Sequence, residues 1–98
     1  MKLFRNNIAA FGTVALSNVT KNSIDVAGSI EWYKDGEWGY AYKLHSATTW
    51  TYVSQTAKAV SATIESLTAN KKYDVCLYVK FNGEYQRSSI SEATTLSS

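Results

Sequence analysis

The run Lys72 to Phe81, KYDVCLYVKF, constrains this chain more than any other feature of its sequence. Side chains alternate between the two sides of an extended strand. Tyr73, Val75, Leu77, Val79 and Phe81 therefore share one face, and Asp74, Cys76, Tyr78 and Lys80 share the other. So long an apolar face has to be covered by a second layer. Asn82-Gly83 follows directly and suits a two-residue turn, because both residues tolerate positive φ. The chain then returns antiparallel through EYQRSSISEATTL, which makes the long strand central in its sheet.

Shorter segments repeat the period of two, separated by turn residues. Val14 and Leu16 alternate in TVALSNV, and Ile24, Val26 and Ile30 do so in SIDVAGSI. Tyr40, Tyr42 and Leu44 share one side of GYAYKLH, Trp50 and Tyr52 one side of TTWTYVS, and Val60, Ala62 and Ile64 one side of AVSATIESL. Seven strands and no helix fit these segments. With 98 residues, no proline, no internal repeat and no linker, the chain is long enough for one domain that buries about 60 to 70% of its unfolded surface. Hydrophobic residues at 45% and charged residues at 18% argue against disorder, and the abundance of Val, Ile, Thr, Tyr and Ser favours strands.

Leu67, five intervening residues and then Tyr73 at the head of the long strand resemble the tyrosine corner of fibronectin type III domains. In that corner the tyrosine hydroxyl bonds back to nearby backbone. SNVTKNSIDVAGSI and NGEYQRSSISEATTL resemble the first two and last two strands of the same family, and the likeness runs from residue 13 to 96. Where well-known members carry a core tryptophan on the second strand this chain has Gly28, and a proline-rich start is absent. VAGSI followed by GYAY is similar to a bacterial and phage variant of the domain. The resemblance implies an all-β, seven-stranded immunoglobulin-like sandwich over residues 13–98, with Trp50 or Tyr40 filling the volume left by Gly28. Residues 1–12 are expected to form an N-terminal arm bearing Leu3, Phe4, Ile8 and Phe11, docked on another chain or folded back on the sandwich.

Around DGEWGYAY the chain gathers two of its three tryptophans and three of its seven tyrosines. If Asp35-Gly36 closes a tight hairpin, Tyr33 faces Trp38 and Trp32 faces Gly39. Yet this register turns Tyr40 and Tyr42 away from the face of Ile30, and the resembled fold puts the two strands in opposite sheets. The ladder is therefore expected to break, with Gly39 allowing the bend. Tyr40, Tyr42 and Leu44 then go inward, while Trp32, Tyr33 and Trp38 project at the end of the sandwich. Projecting aromatic residues either cap the core or form a contact surface of the kind that dominates binding hot spots.

Nothing in the chain spells out a chemistry. The formal charge is +2 and the ten Lys and Arg residues are scattered, so no stripe for nucleic acid exists. Cys76 stands alone, which excludes an internal disulfide and favours a buried thiol. His45 is also single, no catalytic residues are expected, and no metal or cofactor site emerges from spacing. Arg5, Asn6 and Asn7 interrupt what would be a signal-peptide core, and no run is long enough to span a membrane.

These features, with the start at Met1, lead to an expected non-enzymatic virion protein made in the host cytoplasm. It resembles the auxiliary or decoration proteins that tailed phages bind to their capsids. Its expected partner is the major capsid protein or another virion protein, contacted by Leu3, Phe4, Ile8 and Phe11 and by Trp32, Tyr33 and Trp38. The alternative is a carbohydrate-binding or adhesion module of a larger bacterial surface or phage tail protein, stacking a glycan on Trp32, Trp38 or Trp50.

Overall fold

A computed structural model describes residues 8–97 as a sandwich of two antiparallel sheets. The strands are β1 (Ala10–Phe11), β2 (Ala15–Ser17), β3 (Ile24–Glu31), β4 (Glu37–Leu44), β5 (Thr51–Gln55), β6 (Ala59–Ile64), β7 (Lys72–Phe81), β8 (Glu84–Arg87) and β9 (Ser91–Thr94). One sheet places β3 between β6 and the pair β1 and β2. The other runs β5, β4, β7, with β8 and β9 along the far side of β7. Seven sandwich strands thus occur in nine pieces, because the first and last are each broken.

Side-chain chemistry explains the second break. Between β8 and β9, Ser88 accepts the Leu77 N–H on its Oγ at 2.8 Å and donates its own N–H to the Leu77 carbonyl at 2.9 Å. One residue so completes the ladder while the strand changes course. Ser91 Oγ then donates to the Val14 carbonyl at 2.7 Å and closes the edge between the two sheets.

The core lies where the inner faces meet. Ile24, Val26 and Ile30 of β3 and Val60 and Ile64 of β6 face Tyr40 of β4 and Tyr73, Val75, Leu77 and Val79 of β7. Gly28 sits opposite Leu77, whose Cδ1 would be 2.8 Å from a Cβ added there. Leu77 thus occupies the space beside position 28, Tyr40 is buried in the same core, and Trp50 lies on the outer face of the other sheet. At the head of β7 the Tyr73 hydroxyl accepts the Thr68 N–H at 2.9 Å, which is the expected corner, and Leu67 is buried beside it.

The two Gly-containing turns diverge. Asn82 (φ 53°) and Gly83 (φ 80°) join β7 to β8 as a two-residue hairpin, as their sequence indicates. Asp35-Gly36 does not close a hairpin: β3 and β4 belong to different sheets and share no rung. The apolar faces of β3 and β4 both have to reach the core, from opposite sides, so the chain crosses between layers instead of pairing. Gly36 (φ 137°) passes so close to the Lys80 carbonyl that a Cβ would lie 2.6 Å from it. Gly39 likewise marks no bend between paired strands. It lies within the regular β4 ladder, where the missing Cβ admits the Val53 carbonyl.

Three expected orientations also change. Trp32 does not project but is 5% exposed, packed edge-on against Phe81 at 5.4 Å, with its indole N–H on the Asp35 carbonyl at 3.0 Å. Trp38 is half-buried against the core, and Leu44, expected inside, is exposed where β4 ends. For the two tryptophans the crossing between sheets shifts which residues the core can reach, and for Leu44 the strand simply ends.

Replacing Tyr73 with Phe removes the hydroxyl that accepts the Thr68 N–H and should cost about 1 kcal/mol. Thermal unfolding should then fall by about 4 to 8 °C for a domain of this size without change of fold. An unchanged melting temperature would show that the corner contributes nothing.

Candidate functional site

The anticipated contact residues do not form one patch. Leu3 and Phe4 lie outside the described residues. Ile8 is 56% exposed, whereas Phe11, two positions past Ala9, packs against the core from β1. The root of the arm is therefore part of the sandwich. Ala10 and Phe11 pair with Glu31 and Ile30, and the Ala9 N–H donates to Gln86 Oε1 at 2.7 Å, which reaches across to the other sheet.

At the same end Tyr33 is 62% exposed, and with Lys34, Asp35 and Phe81 it lines a shallow cleft. Lys34 lays its ammonium 5.4 Å from the Tyr33 ring centre and 5.7 Å from that of Phe81. Such cation–π contacts are favourable at protein surfaces. Of the three aromatic residues expected to project, only Tyr33 does so. Trp38 turns its N–H to the Thr56 carbonyl, and Lys58 covers its ring at 4.6 Å.

Sequence reading missed a second apolar layer on the outer face of the β5–β4–β7–β8 sheet. Gly39 and Ala41 are small enough to let Tyr52 lean across β4, reaching 4.1 Å from Tyr85 in a near-parallel stack. Tyr78 lies beneath, edge-on to Tyr52 at 4.7 Å, wholly buried, and donates its hydroxyl to the Glu37 carboxylate. Burial, reinforced by that carboxylate, pushes the Tyr78 phenol well above its ordinary range. Arg87 donates to the Tyr52 hydroxyl at 2.6 Å and covers Trp50, while Lys43 lies over Trp50 and Lys80 over Tyr85. Trp50 thus has two cations over its ring, one from β4 and one from the end of β8. The signal was present in the alternation of Tyr78 with Cys76 and Lys80, but what covered Tyr78 depended on Tyr52, 26 positions away.

Cys76 sits in this layer between Ala41 and Tyr78, fully buried. Burial pushes its thiol up to about 12, with the nearby Arg87 acting in the opposite direction. The thiolate needed for nucleophilic chemistry is therefore suppressed.

The opposite end of the sheet carries charge. Neighbouring rungs bring Lys43, Asp74 and Glu92 into one row across β4, β7 and β9, and His45 follows β4. His45 Nδ1 is 2.8 Å from Asp74 Oδ1 and 3.6 Å from Glu92 Oε2. Lys43 bonds the other Asp74 oxygen at 3.1 Å, and Lys72 the other Glu92 oxygen at 3.2 Å. Burial alone would raise the Asp74 carboxyl, but the bonds from His45 and Lys43 outweigh it and hold the group below its ordinary value. These three ligand-type side chains are far apart in the sequence, so spacing gave no sign of the cluster.

No protein-family model and no curated protein matches the chain. Solved structures do. The fibronectin type III domain of human collagen XX superposes with a TM-score of 0.73 over 97% of this chain and 99% of its own, at 18% identity. A computationally redesigned β-sandwich protein gives a TM-score of 0.72 over 89% and 94%, at 17% identity. The sensor domain of the anti-sigma factor RsgI4 of Pseudobacteroides cellulosolvens gives 0.66 over 91% and 93%, at 22% identity. At these identities the likeness establishes the fold alone, a fibronectin type III-like sandwich.

Native protein at pH 8 should leave Cys76 unmodified by iodoacetamide over hours, with stoichiometric alkylation once guanidinium unfolds it. Rapid labelling of the folded chain would contradict the buried, high-pKa thiol.

Proposed function

We propose that this protein is a non-catalytic docking module and, more specifically, an auxiliary capsid protein of a tailed phage. In this reading it binds the major capsid protein or another virion protein during assembly in the host cytoplasm. The observation that carries the reading is the construction of the arm root. Phe11 in the core, two rungs on β3 and the Ala9–Gln86 bond fasten the chain to the sandwich, and directly ahead of them Ile8 presents an apolar side chain to solvent. A segment fastened in this way can bind a partner with its leading residues without unfolding the domain behind it. Multiple copies on a symmetric shell compensate for weak single contacts.

Removing residues 1–7 leaves β1 intact, so the truncated chain should keep its fold and melt within about 4 °C of the full chain, the span of a change of about 0.5 kcal/mol. The same chain should no longer co-sediment with particles from the source lysate. Undiminished occupancy by the truncated chain would take the arm out of the account.

A second reading, an adhesion module that holds a glycan, is favoured by the cleft that the exposed Tyr33 lines together with Lys34, Asp35 and Phe81. An aromatic face beside a hydrogen-bond acceptor suits a sugar ring. Tyr33→Ala should then abolish retention on whichever glycan of a broad array holds the native protein; equal retention by both would reject the cleft.

A further inference from the structure

We infer that His45, Asp74 and Glu92 form a binding site for a divalent transition ion of the zinc type, at the end of the sandwich opposite the arm root. Each of the three offers a donor atom, a ring nitrogen or a carboxylate oxygen, within 4.8 Å of the other two. An ion bonded to three such donors at about 2.0 to 2.2 Å holds them about 3 to 3.6 Å apart. The His45 separations of 2.8 and 3.6 Å already bracket that requirement.

The surrounding groups prepare the site. Each carboxylate divides its two oxygens, one to a lysine and one toward the imidazole. Lys43 is itself held by the carbonyls of Leu44, His45 and Ala47, so it fixes Asp74 from behind. Supporting hydrogen bonds to the far oxygen of a ligating carboxylate are the usual outer shell of a metal site. The Asp74 side chain is only 6% exposed, yet its Oδ1 is directed at the half-exposed imidazole, so one donor is rigid and the others adjust. Two carboxylates balance two ammonium groups without the ion, and the three strands therefore stay aligned when it is absent.

One nitrogen and two oxygen donors suit zinc and its neighbours in the transition series better than magnesium or calcium, which take oxygen ligands. Three protein ligands leave a fourth position open, and the exposure of His45 and Glu92 turns it toward solvent. A side chain of a neighbouring molecule can complete the coordination there. The bound ion ties the end of β4 to β7 and β9.

The test is calorimetric titration of the full chain with zinc chloride at pH 7.5, paired with melting curves. The expected result is one zinc per chain and a melting temperature that rises with zinc. His45→Ala, a change at an exposed position, should keep the fold and weaken binding at least about tenfold, the scale seen when even an outer-shell partner of a metal is lost. Glu92→Gln should weaken it as well. Absence of zinc binding by the native chain, or equal binding by His45→Ala, would overturn the assignment.

Discussion

Burial of β7 on both of its faces is the constraint on which the rest of this molecule depends. A strand in a two-layer sandwich ordinarily shows one face to water. Here Tyr73 through Val79 are all buried. Inward, Tyr73 fixes the corner and Leu77 presses into the notch at Gly28. Outward, Asp74 anchors the charged row, Cys76 is sealed, and Tyr78 lies under a roof of Tyr52 and Tyr85. To supply both covers, β7 pairs with β4 along eight rungs and with β8 and β9 on its other side. The outer layer, built from strands on either side of β7, adds apolar contact that the sandwich core does not provide.

What was legible in the sequence follows from how local each cause is. The alternation of β7, the Asn82-Gly83 hairpin and the Leu67–Tyr73 corner depend on residues within a few positions of one another, and each stands as read. Asp35-Gly36 shows the limit. A dipeptide reports which backbone angles are tolerated, not which strands will meet across it. Only Gly36 takes a positive φ, and the layer crossing is decided by Ile30 and Tyr40, which need the same core from opposite sides. The same nonlocal requirement draws Trp32 inward. His45, Asp74 and Glu92 were illegible for a stricter reason, since their meeting depends on the register of three strands.

The distribution of cations over aromatic rings also bears on binding. Trp38, Trp50 and Tyr85 look in sequence like sticky residues, yet each has a lysine or arginine over its face. Long basic side chains shield apolar rings in this way while keeping their charge in water. Basic side chains lie in this way over rings of the outer sheet and of the Tyr33 cleft alike, and the two ends of the sandwich carry the more distinctive surfaces. One end holds the arm root and the Tyr33 cleft, and the other holds the charged row.

The arm root has a mechanical side. β1 meets β3 through two antiparallel rungs at the end of the strand, and Phe11 is its one side chain in the core. Tension applied along the strand axis ahead of Ile8 loads both rungs together and drags Phe11 through packed neighbours. Tension across the axis opens the rungs one after the other, beginning with Ala10. The joint thus resists shear better than peeling, and the direction of the pull governs how readily β1 leaves the sheet.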